Sequence, residues 1–213
     1  MRRERPLTLL ALFALSISLL GGSCDSDPSP SPSPSVSPSA SPSASPTPVT
    51  CTGTPSTYAR TVSEWWIPRC SLDYNIYNDP QVALGPPDAA GFGPESYTGF
   101  ISLGFGGRVT LDLGGCLRDR PGDDLRVFQA VSSEPVTVYV SASPDGPFTL
   151  LEGRKNCGVR INAVQGYCDF DFADGRVAEA RYVRVEDGEI FPCPGGTRSE
   201  GADLDAVQVL GTP

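Results

Sequence analysis

The chain contains no histidine, and it has only one methionine and two tryptophans among its 213 residues. Without an imidazole, nucleophilic catalysis by a Ser–His or Cys–His pair in its usual form is excluded, and the commonest nitrogen ligand of transition metals is missing. No glycine-rich loop stands between a strand and a helix to cradle a nucleotide phosphate, and no Cys-x-x-Cys pair offers thiolates to zinc. A carboxylate pair of the glycosidase kind is the surviving catalytic route, but no spacing singles out two such residues, so the chain reads as a non-enzyme. Basic residues are scarce too: 16 Lys and Arg stand against 25 Asp and Glu, for a net charge of −9. Such a surface lacks the positive field that nucleic acid or anionic lipid headgroups require, and leaves neutral glycans, cations and basic protein surfaces as partners.

Long apolar runs are also absent. Residues 7–20 are apolar apart from Thr8, Ser16 and Ser18, a stretch shorter than the roughly 20 residues that span a bilayer as a helix. Arg2, Arg3 and Arg5 precede it, which is the pattern of a secretory leader. The leader ends in Leu19-Leu20-Gly21-Gly22-Ser23-Cys24, which resembles the lipobox of bacterial lipoproteins, although Gly21 occupies the usual leucine position three before the cysteine and Leu20 sits one residue farther from it. The resemblance implies a signal peptide over 1–23 and a diacylglycerol thioether on Cys24. Plain cleavage near Gly22, leaving Cys24 as a thiol, is the alternative. A lipid there would place the protein in a bacterial cell envelope, facing the periplasm or the exterior and held to the membrane by its N-terminal lipid alone.

Residues 24–50 form a linker. Between 28 and 48 it is almost purely Pro, Ser, Ala and Thr, which cannot bury enough apolar surface to fold. Its prolines favour an extended polyproline II chain, long enough to hold a domain about 60 Å from its attachment point.

Seven cysteines are an odd number for an exported chain. Lipidation of Cys24 leaves Cys51, Cys70, Cys116, Cys157, Cys168 and Cys193, which can close three disulfides in an oxidising compartment. Cys157 with Cys168 is the expected first pair, because residues 158–167 can fold as a hairpin between them. Six cysteines allow 15 connectivities that sequence alone does not resolve; Cys51 with Cys70, leaving Cys116 with Cys193, is one way to complete the set.

Residues 51–213 are the size of one domain. Val109, Leu111 and Leu113 alternate with Arg108, Thr110 and Asp112, and Val136, Val138 and Val140 alternate with Thr137, Tyr139 and Ser141. That period of two, with breaks at Gly, Pro and Asp-Gly, predicts about eight or nine short strands and no sustained helix. The fold class is therefore all-β, a jelly-roll β-sandwich. Residues 51–80 read as a loop-rich approach tied down by cysteines.

Five phrases occur in order: Val82-Ala83-Leu84-Gly85-Pro86-Pro87-Asp88, Ile101-Ser102-Leu103-Gly104-Phe105-Gly106-Gly107, Asp124-Leu125-Arg126-Val127-Phe128, Val138-Tyr139-Val140-Ser141 leading to Asp145-Gly146-Pro147-Phe148, and Gly201-Ala202-Asp203-Leu204-Asp205-Ala206-Val207. The series resembles the discoidin-like, galactose-binding-like β-sandwich modules of bacterial envelope and secreted proteins, over residues 81–210. Phe148 stands where such modules typically carry Trp, and the cysteines are additions. The resemblance implies a jelly roll of about eight strands with a ligand surface at one loop end, often with a structural calcium.

Candidate site residues follow. Asp203 and Asp205 sit two apart in an apolar strand, so their carboxylates share a face, and Asp88 follows two prolines in a stiff loop. Buried carboxylates need partners, so the three are candidate ligands of calcium; an arginine partner such as Arg184 is the alternative. Glycines 85, 104, 106 and 107 read as turn-formers. Trp65, Trp66 and Tyr97 are the candidate sugar-stacking rings, with core packing as their other reading. Two functions compete: carbohydrate or small-ligand recognition, and protein–protein contact within the cell envelope. An exposed aromatic platform beside polar groups favours the first, and a broad apolar patch without a cleft the second.

Overall fold

The computed structural model describes residues 50–68, 76–91, 97–130, 134–162, 164–188 and 201–211. The leader, Cys24, the Pro/Ser-rich linker, Cys70 and Cys193 lie outside these described residues.

The described residues form ten strands: β1 (Thr61–Trp66), β2 (Ile101–Ser102), β3 (Arg108–Arg118), β4 (Leu125–Ala130), β5 (Pro135–Ser141), β6 (Thr149–Asn156), β7 (Val159–Arg160), β8 (Gln165–Phe170), β9 (Glu179–Asp187) and β10 (Asp203–Val209). They build two five-stranded antiparallel sheets, ordered β1-β3-β9-β5-β6 and β2-β10-β4-β8-β7. The all-β sandwich expected from the alternation is what forms. Between β3 and β10 the chain passes repeatedly from one sheet to the other, so each sheet is knitted from distant segments.

The alternation decides which side chains meet. Val109, Leu111 and Leu113 of β3, Val183 and Val185 of β9, and Val136, Val138 and Val140 of β5 turn inward from the first sheet. Leu125 and Val127 of β4, Phe170 of β8, and Leu204, Val207 and Val209 of β10 turn inward from the second. All of these are buried in one cluster. Among the described residues helix is confined to a single 3-10 turn, Pro80–Ala83, and one four-residue α1, Phe172–Gly175, capped by the Asp171 side chain accepting from Ala173 N–H at 2.8 Å.

The approach before β3 departs from the loop expected there. Cys116 N–H donates to Gly53 O, Ser56 N–H to Leu113 O and Arg60 N–H to Asp112 O, each at 2.9 Å, so residues 53–60 run along β3 and lead into β1. This path corrects the disulfide assignment. Cys51 is carried to the far end of β3 and bonds Cys116, with Cα atoms 5.4 Å apart, and neither Cys51–Cys70 nor Cys116–Cys193 forms. The expected Cys157–Cys168 bridge is present, closing the β7–β8 hairpin whose register pairs Val159 with Tyr167.

The turn glycines are structural. A Cβ on Gly107 would fall 1.7 Å from the Leu103 carbonyl oxygen, and Gly201, at φ +71°, would meet the Gly104 carbonyl at 2.7 Å. Between these turns lies buried Asp187, whose carboxylate accepts from Gly106 N–H at 3.0 Å and Ala202 N–H at 2.9 Å.

Candidate functional site

β1 is an edge strand with a bulge. Val62 pairs with Leu111 and Glu64 with Thr110, so Ser63 is the extra residue. Past the bulge, Glu64 and Trp66 register against the outward residues Thr110 and Arg108, whereas Trp65 registers against the core residue Val109. The two tryptophans, adjacent in sequence, thus turn to opposite faces and cannot form one platform. Trp66 is 48 % exposed on the outer face, and Trp65 is 43 % exposed at the sandwich edge.

Around Trp66 the outer face is polar and ordered. The Glu64 carboxylate accepts from Arg108 through Oε1 and from Arg184 through Oε2, both at 2.9 Å. Arg184 also donates Nε–H to Thr110 Oγ1 at 3.1 Å and lies 3.9 Å over the Phe148 ring. Arg108 lies 5.7 Å from the Trp66 ring centre. Further along, Arg181 makes a two-pronged bond to Asp112, both contacts at 2.8 Å. The hydrogen bond from Arg108, with the charges of Arg108 and Arg184, holds Glu64 below the ordinary carboxylate value. Arg181 and the Gly114 amide do the same for Asp112. Burial, aided by the Glu186 charge, pushes the Tyr139 phenol up, so it stays a hydrogen-bond donor.

Tyr97 belongs elsewhere. Its ring sits edge-on to Phe100 at 6.5 Å, and Phe100 stacks on Tyr77 at 4.5 Å, in a small apolar cluster with Ala89 and Ala130 that is separate from the main core. Of the three candidate rings, Trp66 stands half exposed beside ordered polar groups, and Tyr97 packs, partly buried, against the small apolar cluster.

The candidate metal ligands are placed as follows. Asp205 is buried, and its carboxylate accepts from Asp88 N–H at 3.0 Å, Ala89 N–H at 3.3 Å and Gln165 Nε2 at 3.1 Å. Burial pushes its pKa up against those donors, and the nearby Asp88 charge adds to the rise. Asp203 is buried and bonded to Ser102 Oγ. A bulge between Leu204 and Ala206 breaks the simple period on which the shared face was predicted. Asp88, Asp203 and Asp205 do not gather as one set of ligand atoms, and Arg184 serves Glu64.

Among the described residues, the carboxylates that do gather are Asp119, Asp124 and Asp171, with an oxygen of each within 4.8 Å of the others. Asp124 is buried and accepts from Phe172 N–H at 2.9 Å and Arg120 N–H at 3.2 Å; burial, then its two acidic neighbours, raise its pKa. Cys51, Cys116 and Glu179 also cluster, but the two sulfurs are already bonded to each other. A cleft of about 520 Å³ opens beside that disulfide, between residues 51–55 and 116–120, with Arg118 and Arg120 on its wall.

Sequence reasoning missed Glu64, Arg108, Arg184 and Phe148 as a group. The alternation in β3 marked Arg108 and Thr110 as outward residues, but only the strand order reveals that β1 and β9 flank them. No family model matches the chain, and no curated protein matches it.

Proposed function

We propose that this protein is a non-catalytic, envelope-displayed module that recognises carbohydrate on the outer face of the β1-β3-β9-β5-β6 sheet. The observation that carries the reading is Trp66, half exposed beside the Glu64–Arg108–Arg184 network. A sugar ring presents an apolar face and a fringe of hydroxyls, and it needs an aromatic surface next to polar groups that hold their positions. The network satisfies the second need, because each guanidinium is fixed by a carboxylate and by a ring. The two disulfides fit an oxidising compartment, as display from an export leader with a lipid on Cys24 would require. The likeness of five sequence phrases to galactose-binding-like modules points the same way.

The test is a glycan array probed with the mature chain and with Trp66→Ala. Binding to at least one glycan class, lost in the variant while its melting temperature is kept, supports the reading. Absence of binding to every glycan overturns it.

A second reading, protein contact, rests on the β7 border, where Val159 and Ile161 are about half exposed (52 % and 51 %). It would show as binding to an envelope protein that Val159→Lys abolishes and Trp66→Ala spares.

A further inference from the structure

The outer face that carries the proposed carbohydrate reading is laid out for a chain of sugars instead of a single ring. Registered pairs place Glu64 of β1, Thr110 of β3, Arg184 of β9, Tyr139 of β5 and Leu150 of β6 side by side, one from each strand. A parallel row runs through Trp66, Arg108, Glu186 and Thr137. At the usual strand spacing the five-strand row is about 19 Å long, the length of several sugar rings in line. Trp66 stands on the β1 margin, and Tyr139 lies about 14 Å across the sheet from it, with half-exposed Leu150 beyond. Between the two rings lie the side chains of Arg108, Arg184 and Glu186, with Thr110 buried beneath Arg184 and the Phe148 ring against its guanidinium.

Charge decides the class of ligand. The face carries three carboxylates, Glu64, Asp112 and Glu186, and three guanidinium groups, Arg108, Arg181 and Arg184, on a chain whose net charge is −9. Arg184 and Arg108 share Glu64, and Arg181 is engaged by both oxygens of Asp112. An anionic sugar would have to compete with these internal carboxylates for each cation, and a cationic one with the guanidinium groups for each carboxylate. Hydroxyls donate and accept at once, so they can bridge the existing pairs without breaking them. β1 and β6 are the border strands of this sheet, so no described strand continues the row beyond either end, and a polymer longer than the row would extend past them.

We infer that this sheet face binds an extended, uncharged polysaccharide lying across the strands, with Trp66 stacking one unit and Tyr139 contacting another several units away. The inference rests on the carbohydrate reading above and adds ligand length, ligand charge and a second contact ring.

The experiment is calorimetric titration of the mature chain with neutral gluco-, galacto-, manno- and xylo-oligosaccharides of one to six units, and with uronate-containing counterparts. The expected result is that in at least one neutral series the affinity rises tenfold or more from one unit to four. Trp66→Ala and Tyr139→Ala should each remove at least tenfold of the tetramer affinity, while Trp66→Phe retains part of it. A cooperative thermal melt with the wild-type midpoint keeps the variants comparable. A monosaccharide that binds as tightly as its tetramer, a preference for the uronate series, or tetramer binding untouched by both alanine variants overturns the inference and leaves carbohydrate binding standing. Failure of every sugar to bind overturns both.

Discussion

Glu64 and Arg184 meet at 2.9 Å although they are 120 positions apart and sit on strands that do not pair, because β3 lies between them. The carboxylate of β1 reaches over Thr110 to the guanidinium of β9 and also holds Arg108, so one acidic side chain fixes two cations on the face. Both partners are partly solvated, which limits their coupling to about 0.5–1 kcal/mol. A double-mutant cycle on Glu64→Gln and Arg184→Gln, read from urea unfolding, should return a coupling of that size. A coupling near zero would mean that the network does not hold Arg184 in place.

Acid should loosen this face before it loosens the core. Glu64 and Asp112 are held below their ordinary values of 4.5 and 3.8, so their contribution is present above those values and is lost as pH falls through the lowered folded ones. The stability gap between the wild type and Asp112→Asn should therefore be full at neutral pH and shrink as pH falls below about 4. Chemical unfolding at a series of pH values measures it. A gap that is constant with pH would show that Asp112 acts by shape alone.

Gly107→Ala should be severe. The added methyl would lie 1.7 Å from the Leu103 carbonyl oxygen, and that atom is backbone, which cannot rotate away. Displacing the turn also strains the amide of Gly106 on Asp187. A loss of about 3 kcal/mol, at the upper end of overpacking costs, is expected in thermal or urea melts. Gly106→Ala provides the contrast: no atom lies within 4 Å of its Cβ, so its cost comes from the backbone at φ +75°.

Strand periodicity made the sandwich legible because one buried face imposes alternation, as in β3 and β5. It made β1 illegible. There the bulge at Ser63 shifts the pattern, and the edge position leaves Trp65 and Trp66 both half exposed, so neither alternation nor hydrophobicity marks a strand. The Cys157–Cys168 bridge was readable because its loop is short and local. Cys51–Cys116 was not, because it depends on the leading segment running beside β3, a contact 65 residues apart. For the same reason Trp66 was found as a ring without its setting: Arg108 is its neighbour across β3, and Arg184 joins through Glu64 from a strand far along the chain.

Disulfide mapping should find the local bridge and the long one. Peptide analysis after alkylation without reductant is expected to yield Cys51–Cys116 and Cys157–Cys168, and no free thiol among the six cysteines that follow Cys24. With four cysteines committed, arithmetic leaves Cys70 to pair with Cys193. Removing the long bridge by Cys51→Ser with Cys116→Ser should cost about 2–4 kcal/mol, through the added freedom of the unfolded chain.

Asp205 distinguishes an amide-bound carboxylate from a cation ligand. Three N–H donors converge on it, from Asp88 on Oδ1 and from Ala89 and Gln165 on Oδ2, and they occupy three of the carboxylate's roughly four lone-pair directions, which disfavours a calcium ion there. In Asp205→Asn the oxygen can still accept from Asp88, but the new NH₂ group faces the Ala89 amide, a donor against a donor. Leaving that buried amide unpaired costs about 1–3 kcal/mol. Calcium should not matter to this loss: the melting temperature difference between wild type and variant should be the same in chelator and in millimolar calcium. Acid should matter, and with a sign opposite to that of Asp112. Burial raises the folded pKa of Asp205, so the wild type is relieved of an unfavourable charge as pH falls from that raised value toward 3.8, whereas the asparagine variant gains nothing. The gap between them should widen on acidification. A difference that appears only when calcium is present would instead make Asp205 a metal ligand and its three amide contacts secondary.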